Sequence, residues 1–146
     1  MKWIWIALTC IAAIIAVVAV CGAMLPAGHV ASRRAKFKQP AEAVWAAIDR
    51  PKTFKEDGVD YEVTRSEAPR LLETRIVGKN LPYGGVWIQE ISPSPGGCEL
   101  RITEHGEVYN PIFRFISRFV IGHTATIEKS LAAIANKFGE QIHVED

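Results

Sequence analysis

Charge is missing from one long stretch of this chain, and paired cysteines are missing from all of it. Of three cysteines in 146 residues, Cys10 and Cys21 lie within an apolar run. Cys98 is left without a partner in the remainder, which excludes a disulfide framework. Neither sign of charge is in excess, with 17 Lys and Arg against 16 Asp and Glu, so nothing in the balance recruits nucleic acid. The common catalytic signatures are absent too: no Gly-rich phosphate loop, no C-x-x-C pair, no H-E-x-x-H and no G-x-S-x-G elbow. His29, His105, His123 and His143 are too scattered to read as a metal site, and no cofactor is implied.

What is present divides unevenly. About 23 of the first 28 residues are hydrophobic, whereas the remaining body is slightly less apolar than ordinary globular chains. Its aromatic and branched residues exclude disorder. The division predicts an N-terminal transmembrane anchor over residues 1–28 and a folded domain over 29–146. From Trp3 to Leu25 the run WIWIALTCIAAIIAVVAVCGAML carries no charge; as a helix it reaches roughly 35 Å, enough to cross a bilayer core of about 30 Å. Trp3 and Trp5 suit one headgroup boundary. A cleaved signal peptide is the alternative, with Lys2 as its basic start and Ala23 or Ala27 near a cleavage point. The run exceeds the ~7–15 residues of such a core, which favours the anchor. Lipoprotein processing at Cys21 is disfavoured by bulky Val20. Arg33, Arg34, Lys36 and Lys38 outweigh Lys2 and place the body in the cytoplasm, as a single-pass protein of the plasma (inner) membrane. The same four residues are equally read as the solvated edge of a first strand.

In the body, Val30 to Phe37 has the mixed alternation of an exposed or edge strand. Pro40 to Ile48 predicts a short helix with Val44, Trp45 and Ile48 on one side. Asp49 to Gly58 reads as loop. Strands follow at Val59 to Ser66, Leu71 to Val77, Gly85 to Ile91 and Cys98 to His105, the last two forming a hairpin. On the final strand Cys98, Leu100, Ile102 and Glu104 share the candidate buried face; on its partner, periodicity leaves open whether Trp87, Gln89 and Ile91 or their neighbours face inward. Asn110 as N-cap, Pro111 in the first turn and Gly139 as C-cap frame one long helix over Pro111 to Phe138, with a bend expected near Gly122-His123. Its apolar stripe includes Ile112, Ile116, Phe119, Val120, His123, Ile127, Leu131 and Ile134. Such a helix must lie across a whole sheet.

This order resembles the helix-grip fold of the START-like superfamily. The stretches Leu25-Pro-Ala-Gly-His-Val-Ala-Ser-Arg33, Leu81-Pro-Tyr-Gly-Gly-Val-Trp87, Gly96 to Phe115 and Ser117-Arg-Phe-Val-Ile-Gly-His-Thr124 resemble the SRPBCC proteins of the polyketide cyclase/dehydrase and lipid-transport group, and the similarity spans residues 25 to 138. The resemblance implies an α+β fold in which an antiparallel sheet wraps a long C-terminal helix and leaves a cavity between them. It implies an activity only weakly, since the superfamily holds carriers, receptors and cyclases. One departure stands out: such proteins usually place an additional strand or two where this chain has only Asp49 to Gly58, which predicts a cavity that is shallow or open on that side.

The leading functional expectation is a membrane-tethered, non-catalytic module that binds an apolar small molecule or lipid. Trp87, Tyr83, Ile102, Ile116, Phe119, His123 and Ile127 are the expected ligand contacts. Arg114 and Arg118, one turn apart, are candidates for a lipid phosphate or the headgroup surface, with a solvated helix face as the plain alternative. The competing expectation is a cyclase- or dehydratase-like enzyme acting on a polyketide-type carbonyl compound, with His123 or Glu104 as acid-base group. His123 is also read as a core histidine, and Glu107 and Asn110 as turn and capping residues. The third expectation is an interaction module whose interior is filled by side chains.

Overall fold

The computed structural model describes residues 2–78 and 80–146. Its first element is a 23-residue helix α1 (Lys2–Met24), whose side chains stay outside the protein's own core; only the backbone at Gly22 is buried. With no charge after Lys2, it is long and apolar enough to cross a membrane.

The body is α+β. Seven antiparallel strands, β1 (Gly28–Phe37), β2 (Thr53–Glu56), β3 (Val59–Glu67), β4 (Leu71–Val77), β5 (Tyr83–Ser94), β6 (Gly97–Val108) and β7 (Val144–Glu145), form one sheet in the order β2-β3-β4-β5-β6-β1-β7. The short helix α2 (Ala41–Ile48) follows β1, starts after Pro40 and buries Val44, Trp45 and Ile48, as its spacing predicts. Two sequence readings are corrected here. The segment Asp49 to Gly58 is not all loop: Thr53–Glu56 forms β2, joined to β3 by a two-residue Asp57-Gly58 turn. The added wall predicted to be lacking is therefore present, although only four residues long. The first strand is no outer edge either, because β1 lies between β6 and the two-residue β7. Arg33 reaches Glu128 and Asp146, and Arg34 reaches Glu99 and Glu145.

The stretch read as one terminal helix is two. After α3 (Pro111–Ile116), Ser117–Ile121 widens into a turn of π-helix, Gly122 takes φ +79, and α4 (Ala125–Lys137) begins in a new direction. Positive φ is cheap only for glycine, so the predicted bend becomes a break at that residue. The caps are as expected: the Asn110 side chain accepts from the Ile112 and Phe113 amides, and Gly139 ends α4 with positive φ. Beyond the break, Ile127, Leu131, Ile134 and Ala135 of α4 pack on Leu100, Ile102 and Leu72 of the sheet. This layer is the core, and each fully buried leucine or isoleucine contributes about 1.5–3 kcal/mol of transfer free energy.

Candidate functional site

Strand pairing brings one set of side chains beneath α4. Phe54 stands opposite Tyr61 across the β2–β3 ladder, and Thr74 stands opposite Trp87 across β4–β5. Because successive side chains alternate faces, Trp87, Gln89 and Ile91 share the inner side of β5. Ile91 is buried in the core. Trp87 and Gln89 instead border an open-sided cavity of about 310 Å³ lined by α2, α4 and the β2–β5 half of the sheet. Phe54 and Tyr61 stack there with ring centroids 5.1 Å apart, and the Arg50 guanidinium lies 5.9 Å from the Phe54 centroid. Thr74, the only polar residue among the buried described residues, supplies a hydroxyl to the floor. Burial first, and Glu56 next, push the Tyr61 phenol above its ordinary range, so at neutral pH it is a hydrogen-bond donor. Arg50, Lys129 and Lys137 line the rim together with Glu56 and Asp57. The Lys137 ammonium donates to the Ala47 carbonyl at 3.1 Å and ties α4 to α2.

A second constellation lies next along β5 and β6 towards their Tyr83 and Val108 ends, where α1 enters the body, with Glu104 opposite Trp87 in the ladder. His29 and His123 stack with centroids 3.8 Å apart and planes inclined by 19°. Glu104 Oε1 is 3.7 Å from His29 Nε2, and the Ser117 hydroxyl is 3.3 Å from His123 Nδ1. Gly106, opposite His29 in the ladder, leaves room for the imidazole; a Cβ there would sit 2.4 Å from it. Burial lowers both histidines, helped by His123 at His29 and by Arg118 at His123. Burial raises Glu104, and the Trp87 indole across the ladder works the other way. The group therefore favours neutral side chains. The recess beside it measures only about 10 Å³, no more than a single water requires.

The expected site residues are thus dispersed. Trp87 borders the large cavity. Ile102 and Ile127 are 0% exposed and form the core at its side. Tyr83 is exposed at the start of β5, Ile116 is half-buried in α3, and Phe119 is 62% exposed. None of those three lines the cavity. For Ile116 and Phe119 the cause is the break at Gly122, which leaves α3 packed chiefly on α1 with the π-turn continuing from it, so a stripe continuous in sequence serves two surfaces; Tyr83 lies at the far end of β5 instead. His123 and Glu104 come together beside His29; neither lines the cavity, although Glu104 pairs across the ladder with Trp87, which does.

Arg114 is corrected most sharply. It is neither a solvated residue nor a free phosphate ligand. Its guanidinium donates to the carbonyls of Leu25 (2.9 Å), Val108 (3.0 Å), Tyr109 (3.2 Å) and Gly22 (3.3 Å), which pins the end of α1 to the body. A side chain at Gly22 would place its Cβ 1.9 Å from the Pro111 carbonyl oxygen, so only glycine permits this approach. Arg118 remains exposed near the recess. Sequence reading missed Phe54, Tyr61, Thr74, Gln89 and His29. For Phe54 a signal existed: Asp-Gly after an alternating Thr-Phe-Lys-Glu is a hairpin turn.

No family model matches the chain, and no curated protein matches it. Solved structures do resemble it. CalU16 from Micromonospora echinospora superposes with TM-score 0.56 at 15% identity over 77% of this chain and 74% of its own. A conserved protein from Geobacillus kaustophilus gives 0.56 at 16% over 79% and 99%, and Ara h 8.0201 gives 0.51 at 10% over 75% and 97%. The body has the α+β helix-grip, START-like fold that these neighbours share. At such identities the likeness carries the fold alone, and function is argued from the site.

Proposed function

We propose that this protein is a ligand-binding module held at a membrane by α1. It takes a small amphipathic molecule into the cavity between α4 and the sheet. The observation that carries this reading is the cavity itself, with Phe54, Tyr61 and Trp87 as an apolar wall and Thr74 and Gln89 as hydrogen-bonding groups beneath α4. An apolar pocket with a few convergent polar groups is the usual form of a small-molecule site, and about 310 Å³ lies at the lower end of the ~300–1,000 Å³ such sites occupy. It is about twice the ~150 Å³ cavity that admits a benzene. One or two rings or a short chain fit, and a whole two-chain lipid does not. The unfilled space weighs against an interior closed by side chains. The acid-base reading of His123 and Glu104 loses support because neither borders this cavity.

The tether is supported by the uncharged length of α1 and the exposure of its sides. Lys36 and Lys38 stay exposed on the body side of the span, against Lys2 on the other, and favour a cytoplasmic body. The ligand reading is tested with 2-naphthoate, an apolar double ring with one carboxylate suited to the rim cations, titrated calorimetrically into the full chain in nanodiscs. Binding is expected to weaken at least tenfold in Ala133→Phe, which fills the cavity from α4. Binding unaffected by that substitution, or no binding by the unaltered chain, overturns the assignment. Insertion of α1 is tested separately by resistance to alkaline carbonate extraction.

A further inference from the structure

The break at Gly122 leaves an apolar surface that the fold does not cover. Phe113, Phe119, Val120 and Ile121 are more than half exposed, Val120 at 72%. Of these, Phe119 packs against Phe115 one turn earlier, with ring centroids 4.9 Å apart. An isolated exposed leucine or valine needs no explanation, whereas a contiguous apolar patch marks an interaction surface.

Its position against α1 identifies what covers it. Before Val18 every described side chain of α1 is exposed, whereas Val18, Ala19, Gly22 and Leu25 are covered to varying degrees and repeat at helical spacing. Among the described residues, α3 is the element packed along this face. From Val18 to Leu25 the helix rises about 10 Å. α3 (Pro111–Ile116) therefore packs against the last ~10 Å of the apolar helix, and the π-turn Ser117–Ile121 continues directly from it. Amphipathic helices rest about 5–10 Å into the boundary between headgroups and acyl chains. The joint is rigid, because Arg114 holds two carbonyls of the α1 terminus and Pro111 abuts Gly22. If α1 spans, the exposed side chains of this segment are carried into the bilayer boundary with it.

We propose that residues 111–121 form an interfacial foot, with Phe113, Phe119, Val120 and Ile121 embedded among lipid chains and Arg118 at headgroup level. The inference rests on the tether proposed above and deepens it. The domain is then not free to swing on a linker: α1 and the foot together fix the face it turns to the membrane. The cavity lies on the other side of the break, beneath α4, and stays accessible from water.

The experiment uses the full chain carrying Cys10→Ala and Cys21→Ala, with buried Cys98 retained, in vesicles of phosphatidylcholine and phosphatidylglycerol. Val120→Cys and, independently, Phe113→Cys are labelled with a membrane-impermeant maleimide and compared with exposed Ser66→Cys on the far part of β3. Rates rather than extents are compared, so molecules facing the vesicle lumen drop out. Labelling at 120 and 113 at least tenfold slower than at 66, in protein that resists carbonate extraction, is the expected result. Equal rates in carbonate-resistant protein overturn the foot and leave the tether standing. Release by carbonate overturns both. Slow labelling accompanied by disulfide-linked Val120→Cys dimers on mild oxidation assigns the patch to a second copy and overturns the lipid contact.

Discussion

Arg114→Ala removes a single side chain that joins the apolar helix to the domain. Four carbonyls lose their donor, and the two shortest contacts, 2.9 Å to Leu25 and 3.0 Å to Val108, come from different parts of the chain. Hydrogen bonds to a charged group are worth about 1.5–3 kcal/mol net each. Because the guanidinium is partly exposed, water replaces some of what is lost, and the four contacts do not add. Counting the two shortest at the low end gives about 3 kcal/mol. For a domain of this size that is roughly a 10 °C fall in melting temperature, read by near-ultraviolet circular dichroism of the full chain in detergent. Arg114→Lys keeps a cation near the carbonyl end of α1 but not the planar fork, so it is expected to recover only about 1 kcal/mol. Limited proteolysis at Leu25 to Gly28 should accelerate in both variants as α1 detaches. Gly22→Ala loosens the same joint from the opposite side. Melting within 1 °C of the unaltered protein for Arg114→Ala, with unchanged proteolysis, refutes the clamp.

Two further outcomes follow from burial and from the histidine pair. Leu131 is completely buried between α4 and the sheet, so Leu131→Ala should cost about 2–5 kcal/mol in urea unfolding, and a loss below 1 kcal/mol contradicts the packing described. His29 and His123 are lowered on folding; the unfolded chain thus binds more protons, and their contribution to stability is complete above the ordinary histidine value of 6.5 and is lost as pH falls through the lowered folded values. Glu104 is raised and acts oppositely: its contribution is complete below the ordinary 4.5 and is lost as pH rises through the raised folded value. Facing this pair are Ser117 and Arg118 from the π-turn and Glu104 from β6. Melting temperatures between pH 5 and 7.5 should show a weaker acid-side decline in the His29→Gln, His123→Gln double variant, and an unaltered slope removes the assignment.

The sequence made local features legible wherever the cause is local. An uncharged run long enough for a bilayer reads as a helix without any tertiary partner. Alternation along Cys98 to Ile102 marks the buried face, and Asn110-Pro111 marks a helix start because the cap bonds its own neighbours. β2 is hard to read in the sequence because four residues carry little periodic signal, and only the Asp57-Gly58 turn marks it. The site was less legible. Of seven expected ligand contacts, only Trp87 borders the cavity: Ile116, Phe119 and His123 depended on the apolar stripe continuing unbroken through Gly122, Ile102 and Ile127 are taken up by the core, and Tyr83 is exposed at the end of β5. His29 has no motif around it, and its relation to His123 exists only once β1 and the π-turn meet.

By itself, then, the sequence determined the division into an apolar helix and a mixed body, the order of most strands, the caps and the residue at which the terminal helix gives way. Only the tertiary structure decided where the two halves of that helix go, which side chains enclose the cavity and which residue ties the body to α1. The physical reason is the range of the forces involved. Helical rise, strand alternation and capping act between neighbours and leave periodic marks. Arg114 bonds to main-chain carbonyls, which every residue possesses and no sequence pattern distinguishes, and a cavity is defined by side chains that fail to meet after the whole chain has folded.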